Sequence, residues 1–166
     1  MVLRRSIIFF SCLYSSIGMA KIPPAEFAKQ SVYVSAKISP DGKKLAVTLE
    51  SDGKNRLAVL KIKDFSAIGG LQLRGNESVG EFNWVNNERI VAKILHYKSW
   101  YKEPRYFGEL VAVDSNGKNS RMIYGYRAGE MQTGTNLKKK KTIRGWADII
   151  SLLPEEEDNI LISSTP

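Results

Sequence analysis

Around the turn Ser39-Pro40-Asp41-Gly42 the chain alternates apolar and polar residues with a period of two. Val34, Ala36 and Ile38 share one face before it, and Leu45, Val47 and Leu49 share one face after it. Pro40 sets φ for a type I corner, Asp41 can bond nearby backbone, and Gly42 supplies a positive φ. The pattern predicts a β-hairpin with one buried face. A hairpin alone is marginal in water, so further strands must cover that face.

The same alternation continues. After the polar turn Ser51–Asn55, Leu57–Ile62 reads as a third strand. Gly69-Gly70 reads as a break, and Leu71–Leu73 as a short fourth strand at an edge. A second set follows: strand Val79–Trp84, turn Val85–Glu88, strand Arg89–Ile94, strand Gly108–Val113, turn Asp114–Lys118 and strand Arg121–Tyr124. A third set begins at Ala147–Leu153, turns at Pro154–Asp158 and returns through Asn159–Ser163. The first two hairpins superpose at an offset of 46 residues, Ile38 on Trp84 and Ser39 on Val85.

A four-stranded unit repeating every 40–50 residues is the pattern of a β-propeller blade. The expected fold is therefore all-β, a partial β-propeller of about two and a half four-stranded antiparallel blades, over residues 32–75, 76–125 and 146–166. A β-sandwich with coincidental spacing is the alternative. Two and a half blades cannot close a ring, so one blade face and some strand edges are expected to stay open. The chain reads as the opening part of something longer.

Before the strands, residues 1–20 carry the features of a secretory signal. Arg4 and Arg5 precede an apolar stretch from Ser6 to Ile17, and Gly18-Met19-Ala20 offers a small-residue cleavage site. The apolar run is shorter than the roughly 20 residues a spanning helix requires. No transmembrane anchor is expected after cleavage, and the location is periplasmic or secreted. Lipidation at Cys12 is the weaker alternative, because little apolar sequence precedes it. Cleavage after Ala20 removes the one cysteine, leaving no thiol for a disulfide, a metal or a nucleophile. It lowers the formal charge from +8 to +6. Residues 21–31, with Pro23 and Pro24 ahead of Ala25-Glu26-Phe27-Ala28, predict a short leading helix.

The order of these segments resembles that in certain exported bacterial members of the prolyl oligopeptidase family. Ile22–Ala28 after the leader is similar to their entrance, and Ser39–Ala46 to their first-blade hairpin. Phe82–Val91 is similar to the second blade's hairpin, and Leu152-Leu153-Pro154 with its acidic turn to the third. Ser-Pro-Asp-Gly by itself is shared by other periplasmic propellers, including TolB-like ones. In the resembled family a propeller caps an α/β-hydrolase domain and filters short peptides to a Ser-Asp-His triad. The resemblance implies a non-catalytic segment gating peptides to a hydrolase domain that this chain lacks. A free-standing TolB-like module with a periplasmic protein partner is the second reading.

Nothing in the sequence supplies the catalytic part. There is no Gly-x-Ser-x-Gly elbow, and His96 is the one histidine. No catalytic, cofactor-binding or metal-binding residue is assigned. Without a second histidine or a cysteine partner, His96 reads as structural or exposed rather than as a zinc ligand. Tyr97–Phe107 interleaves bases with rings, a mixture used on single-stranded nucleic acid, but it reads first as a loop packed on its blade. A basic nucleic-acid-binding domain ranks last, and no nucleic-acid partner is expected. Lys138–Lys141 and Glu155–Asp158 read as solvated loops, the latter lacking the 1-3-5 oxygen spacing of a calcium loop. Asn76-Glu77-Ser78 is a glycosylation sequon only in a eukaryotic secretory route.

Overall fold

The computed structural model describes residues 32–128, 143, 145–156 and 159–166. The expected signal segment, the helix over 21–31, the Lys138–Lys141 run and residues 157–158 of the acidic turn lie outside the described residues. Those residues form ten strands in three antiparallel sheets, and no helix occurs among them.

The first sheet joins β1 (Tyr33–Ile38), β2 (Lys44–Ser51), β3 (Lys54–Lys61) and β4 (Ala67–Leu71) in chain order. Its first turn closes as the residue types dictate. Gly42 N donates to Ser39 O at 2.9 Å with Gly42 at φ 71°. Asp41 Oδ1 accepts from the Ser39 hydroxyl at 2.6 Å and from Lys43 N at 3.1 Å. These bonds hold the Asp41 carboxyl below the usual range. The second turn is tighter than the five-residue turn expected. Only Asp52 and Gly53 separate β2 from β3, both at positive φ (55° and 70°), the backbone of a two-residue hairpin.

The glycine pair is a correction. Gly69 and Gly70 lie inside β4, which ends at Leu71, and do not break the chain ahead of it. They sit there because other backbone presses on them. A Cβ on Gly69 would lie 2.2 Å from the Asn116 carbonyl carbon, and one on Gly70 would lie 2.2 Å from Leu57 O. Glycine in a strand marks close backbone approach as often as a break.

The second sheet joins β5 (Glu77–Trp84), β6 (Arg89–His96), β7 (Arg105–Asp114) and β8 (Arg121–Tyr124) in the same order. Asn86 Oδ1 caps the β5–β6 turn, accepting from Glu88 N at 2.9 Å and Arg89 N at 2.8 Å. β7 begins three residues earlier than the alternation predicts, because Arg105 and Tyr106 pair with His96 and Leu95 across a register shift. The third sheet pairs β9 (Trp146–Ser151) with β10 (Leu161–Thr165). β9 stops short of Leu153, which takes φ 46° ahead of Pro154.

The second sheet is buried on both faces. Ile90, Ala92, Ile94, Val111 and Val113 pack with Ala46, Leu57 and Val59 of the first sheet. Val91, Leu110 and Ala112, on the opposite face, pack with Ala147, Ile149 and Ile162 of the third. The 46-residue offset is realised as contact between the first two sheets. Trp84 Nε1 donates to Lys37 O at 3.0 Å, and Lys37 Nζ donates to Asn83 Oδ1 at 2.7 Å.

Candidate functional site

One end of the second sheet gathers groups that the packing alone does not require. Glu109, on β7, is fully buried. A buried carboxylate is costly unless paired, and this one is bound from two sides. His96 Nε2, at the end of β6, lies 2.7 Å from Glu109 Oε2. The Arg127 guanidinium donates from Nε to Oε1 at 2.9 Å and from Nη2 to Oε2 at 2.6 Å. Arg127 Nη1 also reaches Glu77 Oε1 at the start of β5. Burial pushes the Glu109 carboxyl up, but the hydrogen bonds from His96 and Arg127 and the cationic charge prevail, holding it at about 2. The same bonds, Glu109 first, push the Arg127 guanidinium further up.

His96 is therefore structural in one respect: it is a nearly buried ring (8% exposed) fixed by a carboxylate. Phe107 meets it edge-on, with centroids 5.6 Å apart. The Glu109 bond fixes the orientation of the ring through Nε2.

Beside the network lies a cleft of about 430 Å³ lined by Asn76, Glu77, His96, Lys98, Trp100 and Tyr126. Two further hollows, of about 300 and 290 Å³, adjoin it, sharing Tyr126 with it and Phe107 with each other, and the second reaches Trp146. The β6–β7 connection supplies most of one side. It is shorter than expected, residues 97–104, since Arg105, Tyr106 and Phe107 belong to β7. Its rings divide into two kinds. Tyr97 and Tyr106 are tied down, their hydroxyls donating to Gly53 O and Ala147 O. Trp100 departs from the expected packing on the sheet, being 72% exposed.

The other residues singled out in the sequence do not converge here, except Asn76 and Glu77 of the sequon. Ser78 is buried and accepts from Asn55 N at 2.8 Å. Glu156 accepts from Asn159 Nδ2 at 2.9 Å within its own turn. Among the described residues no group of three or more His, Cys, Asp or Glu side chains is placed to hold a metal ion. Sequence reasoning missed Glu109 and Arg127. The one available signal was an acid inside the apolar run Gly108–Val113 of a strand buried on both faces.

No family model and no curated protein matches the chain. A solved structure, that of a provisionally named conserved lipoprotein from Clostridium novyi NT, is similar at a TM-score of 0.47 and 11% identity. The match covers 82% of this chain and 87% of that one.

Proposed function

We propose that the chain is the non-catalytic, propeller-type part of an exported peptidase of the prolyl oligopeptidase kind, gating peptides to a hydrolase domain. The observation that carries this reading is the 46-residue repeat expressed as physical stacking. Two four-stranded meanders lie against each other with Trp84 bonded to Lys37 and Asn87 to Asp41. Successive blades of a propeller stack in this way, each burying the face of the next. The chain spells no nucleophile elbow, and its one histidine is engaged by Glu109. Acyl transfer would belong to the hydrolase domain.

The test has two arms. Purified chain should hydrolyse no aminoacyl or dipeptidyl chromogenic substrate. An immunoblot of the exported fraction should give a band several-fold heavier than 18.6 kDa, labelled by a serine-directed fluorophosphonate. Turnover by the chain itself, or a native band at or just below 18.6 kDa without label, overturns the reading.

A second reading, a free-standing interaction module, is favoured by apolar side chains left open on the outer sheets. Ile38 is 60% exposed and Ile150 63% exposed. Sedimentation of the mature chain separates the two. A discrete oligomer that melts cooperatively supports the module, and aggregation with a broad melt supports the segment.

A further inference from the structure

We propose that the cleft beside His96 binds a small aromatic carboxylate, supplied as a free acid or as the C-terminal residue of a peptide. The inference deepens the peptide-gating reading and rests on it only for the peptide source.

The argument begins with the rings. Trp100, Tyr126 and Trp146 are each at least half exposed, and with Phe107 they wall the adjoining hollows. None of the four belongs to either apolar cluster of the core. Large rings kept out of the core and gathered along one concavity offer flat apolar area at little conformational cost.

Charge selects the second half of the ligand. Among the described residues the carboxylates at the cleft are matched: Glu77 and Glu109 share Arg127. Lys98 is different. It lines both the main cleft and an adjoining hollow, yet among the described residues it forms no ion pair; its ammonium lies over the Trp100 ring, 6.0 Å from the centroid. An unmatched cation beside an exposed indole suits an anion attached to a flat apolar body. Asn76 and Ser99 add hydrogen-bonding groups to the same wall. Burial of Glu109 and its bonds to His96 and Arg127 fix that wall before any ligand arrives, which lowers the ordering cost of binding.

The dimensions admit one ring carrying one anion. The main cleft, about 430 Å³, is in the range of small-ligand sites. A nucleic-acid strand would need a row of cations along the groove, and among the described residues Lys98 is the one lysine on these walls.

The test uses the full mature chain and tryptophan fluorescence backed by calorimetry. The probes are N-acetyl-phenylalanine, its uncharged amide, N-acetyl-alanine and oligothymidylate. The acid is expected to bind saturably, about tenfold tighter than either the amide or the alanine acid. Lys98→Gln should erase the preference of acid over amide, and Trp100→Ala should weaken acid and amide together. Both residues are on the surface, and unchanged near-UV circular dichroism will verify the fold of each variant. Equal binding of acid and amide, no saturation by about 10 mM, or an unaltered preference in Lys98→Gln overturns the proposal. So does tighter, salt-sensitive binding of oligothymidylate. The peptidase reading fails separately, on the mass and labelling of the native protein, whatever the cleft binds.

Discussion

Asp41 N donates to Asn87 Oδ1 across 2.9 Å, and the two residues occupy equivalent places in consecutive hairpins, 46 positions apart. Lys44 reinforces the same junction, reaching Asn87 O at 2.9 Å and the Glu88 carboxylate. Glu88 also accepts from the Ser115 hydroxyl at 2.7 Å, so one acid joins the β5–β6 turn to the first sheet and to the β7–β8 turn. Hydrogen bonds from Lys44 and then Ser115 hold its carboxyl below the ordinary range. The first two sheets are thus matched turn to turn as well as face to face.

The central tie is Trp84, 5% exposed, whose indole N–H bonds Lys37 O at 3.0 Å. Trp84→Phe keeps most of the apolar contact but removes the donor and some ring volume. It should lower unfolding free energy by about 1–2 kcal/mol. Urea denaturation would read this as a lower midpoint with an unchanged m-value. A loss below about 0.3 kcal/mol would mean that the register between the sheets does not depend on this bond.

Two glycines provide a contrast between backbone conformation and close contact. Gly42 sits at φ 71° with open space where a Cβ would project, so Gly42→Ala should cost about 1 kcal/mol for the left-handed backbone alone. Gly69 has no positive φ, but its Cβ would meet the Asn116 carbonyl carbon at 2.2 Å. That contact is with backbone and cannot be relieved by a rotamer change. Gly69→Ala should therefore cost about 3 kcal/mol and disturb the β7–β8 turn. Comparable melting temperatures for the two variants would contradict the close approach.

What the sequence made legible follows from these positions. The alternation around Ser39–Gly42 and the 46-residue offset identified the strands and their antiparallel order, because side chains on a half-buried sheet must alternate. Gly69-Gly70 was misread because a glycine's neighbour in space, here Asn116, is invisible to local pattern. The cleft was legible only as a composition, the bases and rings of Tyr97–Phe107. Which rings were tied down and which were left open depended on Gly53 and Ala147, both more than 40 residues away. Glu109 stands in the sequence as a lone acid in an apolar strand, and its partners His96 and Arg127 come from a neighbouring strand and from beyond β8.

Glu109 should contribute strongly to the acid sensitivity of the fold. Its carboxyl, ordinarily near 4.5, is held at about 2, so the unfolded chain takes up that proton first as the pH falls. The stabilisation is fully present above about pH 4.5 and is lost between there and about pH 2, amounting to about 3 kcal/mol. Glu109→Gln should lower stability at pH 7 by about 3 kcal/mol, since Arg127 and His96 lose a shared buried anion. It should also flatten the stability profile below about pH 4.5. Urea midpoints measured at intervals from pH 7 to pH 2.5 would test both effects. A profile of unchanged slope in the variant would assign the acid sensitivity to other carboxylates.

Lys93 tests whether ion pairs or apolar packing hold the second and third sheets together. Its ammonium bonds Asp148 Oδ1 at 2.9 Å, lies 3.3 Å from Glu81 Oε2 and sits 5.1 Å from the Tyr106 ring centroid. The Asp148 bond, opposed by burial and aided by Glu81, raises the Lys93 pKa. Both acids are largely exposed, so water screens the pairs and their net worth is small. Between the same two sheets, Leu110, Ala112 and Tyr124 pack with Ala147 and Ile162. Asp148→Asn should therefore cost under about 1 kcal/mol at low salt, and the loss should shrink further in about 0.5 M salt. Leu110→Ala, at a fully buried position, should cost about 3 kcal/mol independently of salt. If Asp148→Asn proved the more damaging, the third sheet would be held chiefly by charge, and its apolar contacts with the second would be secondary.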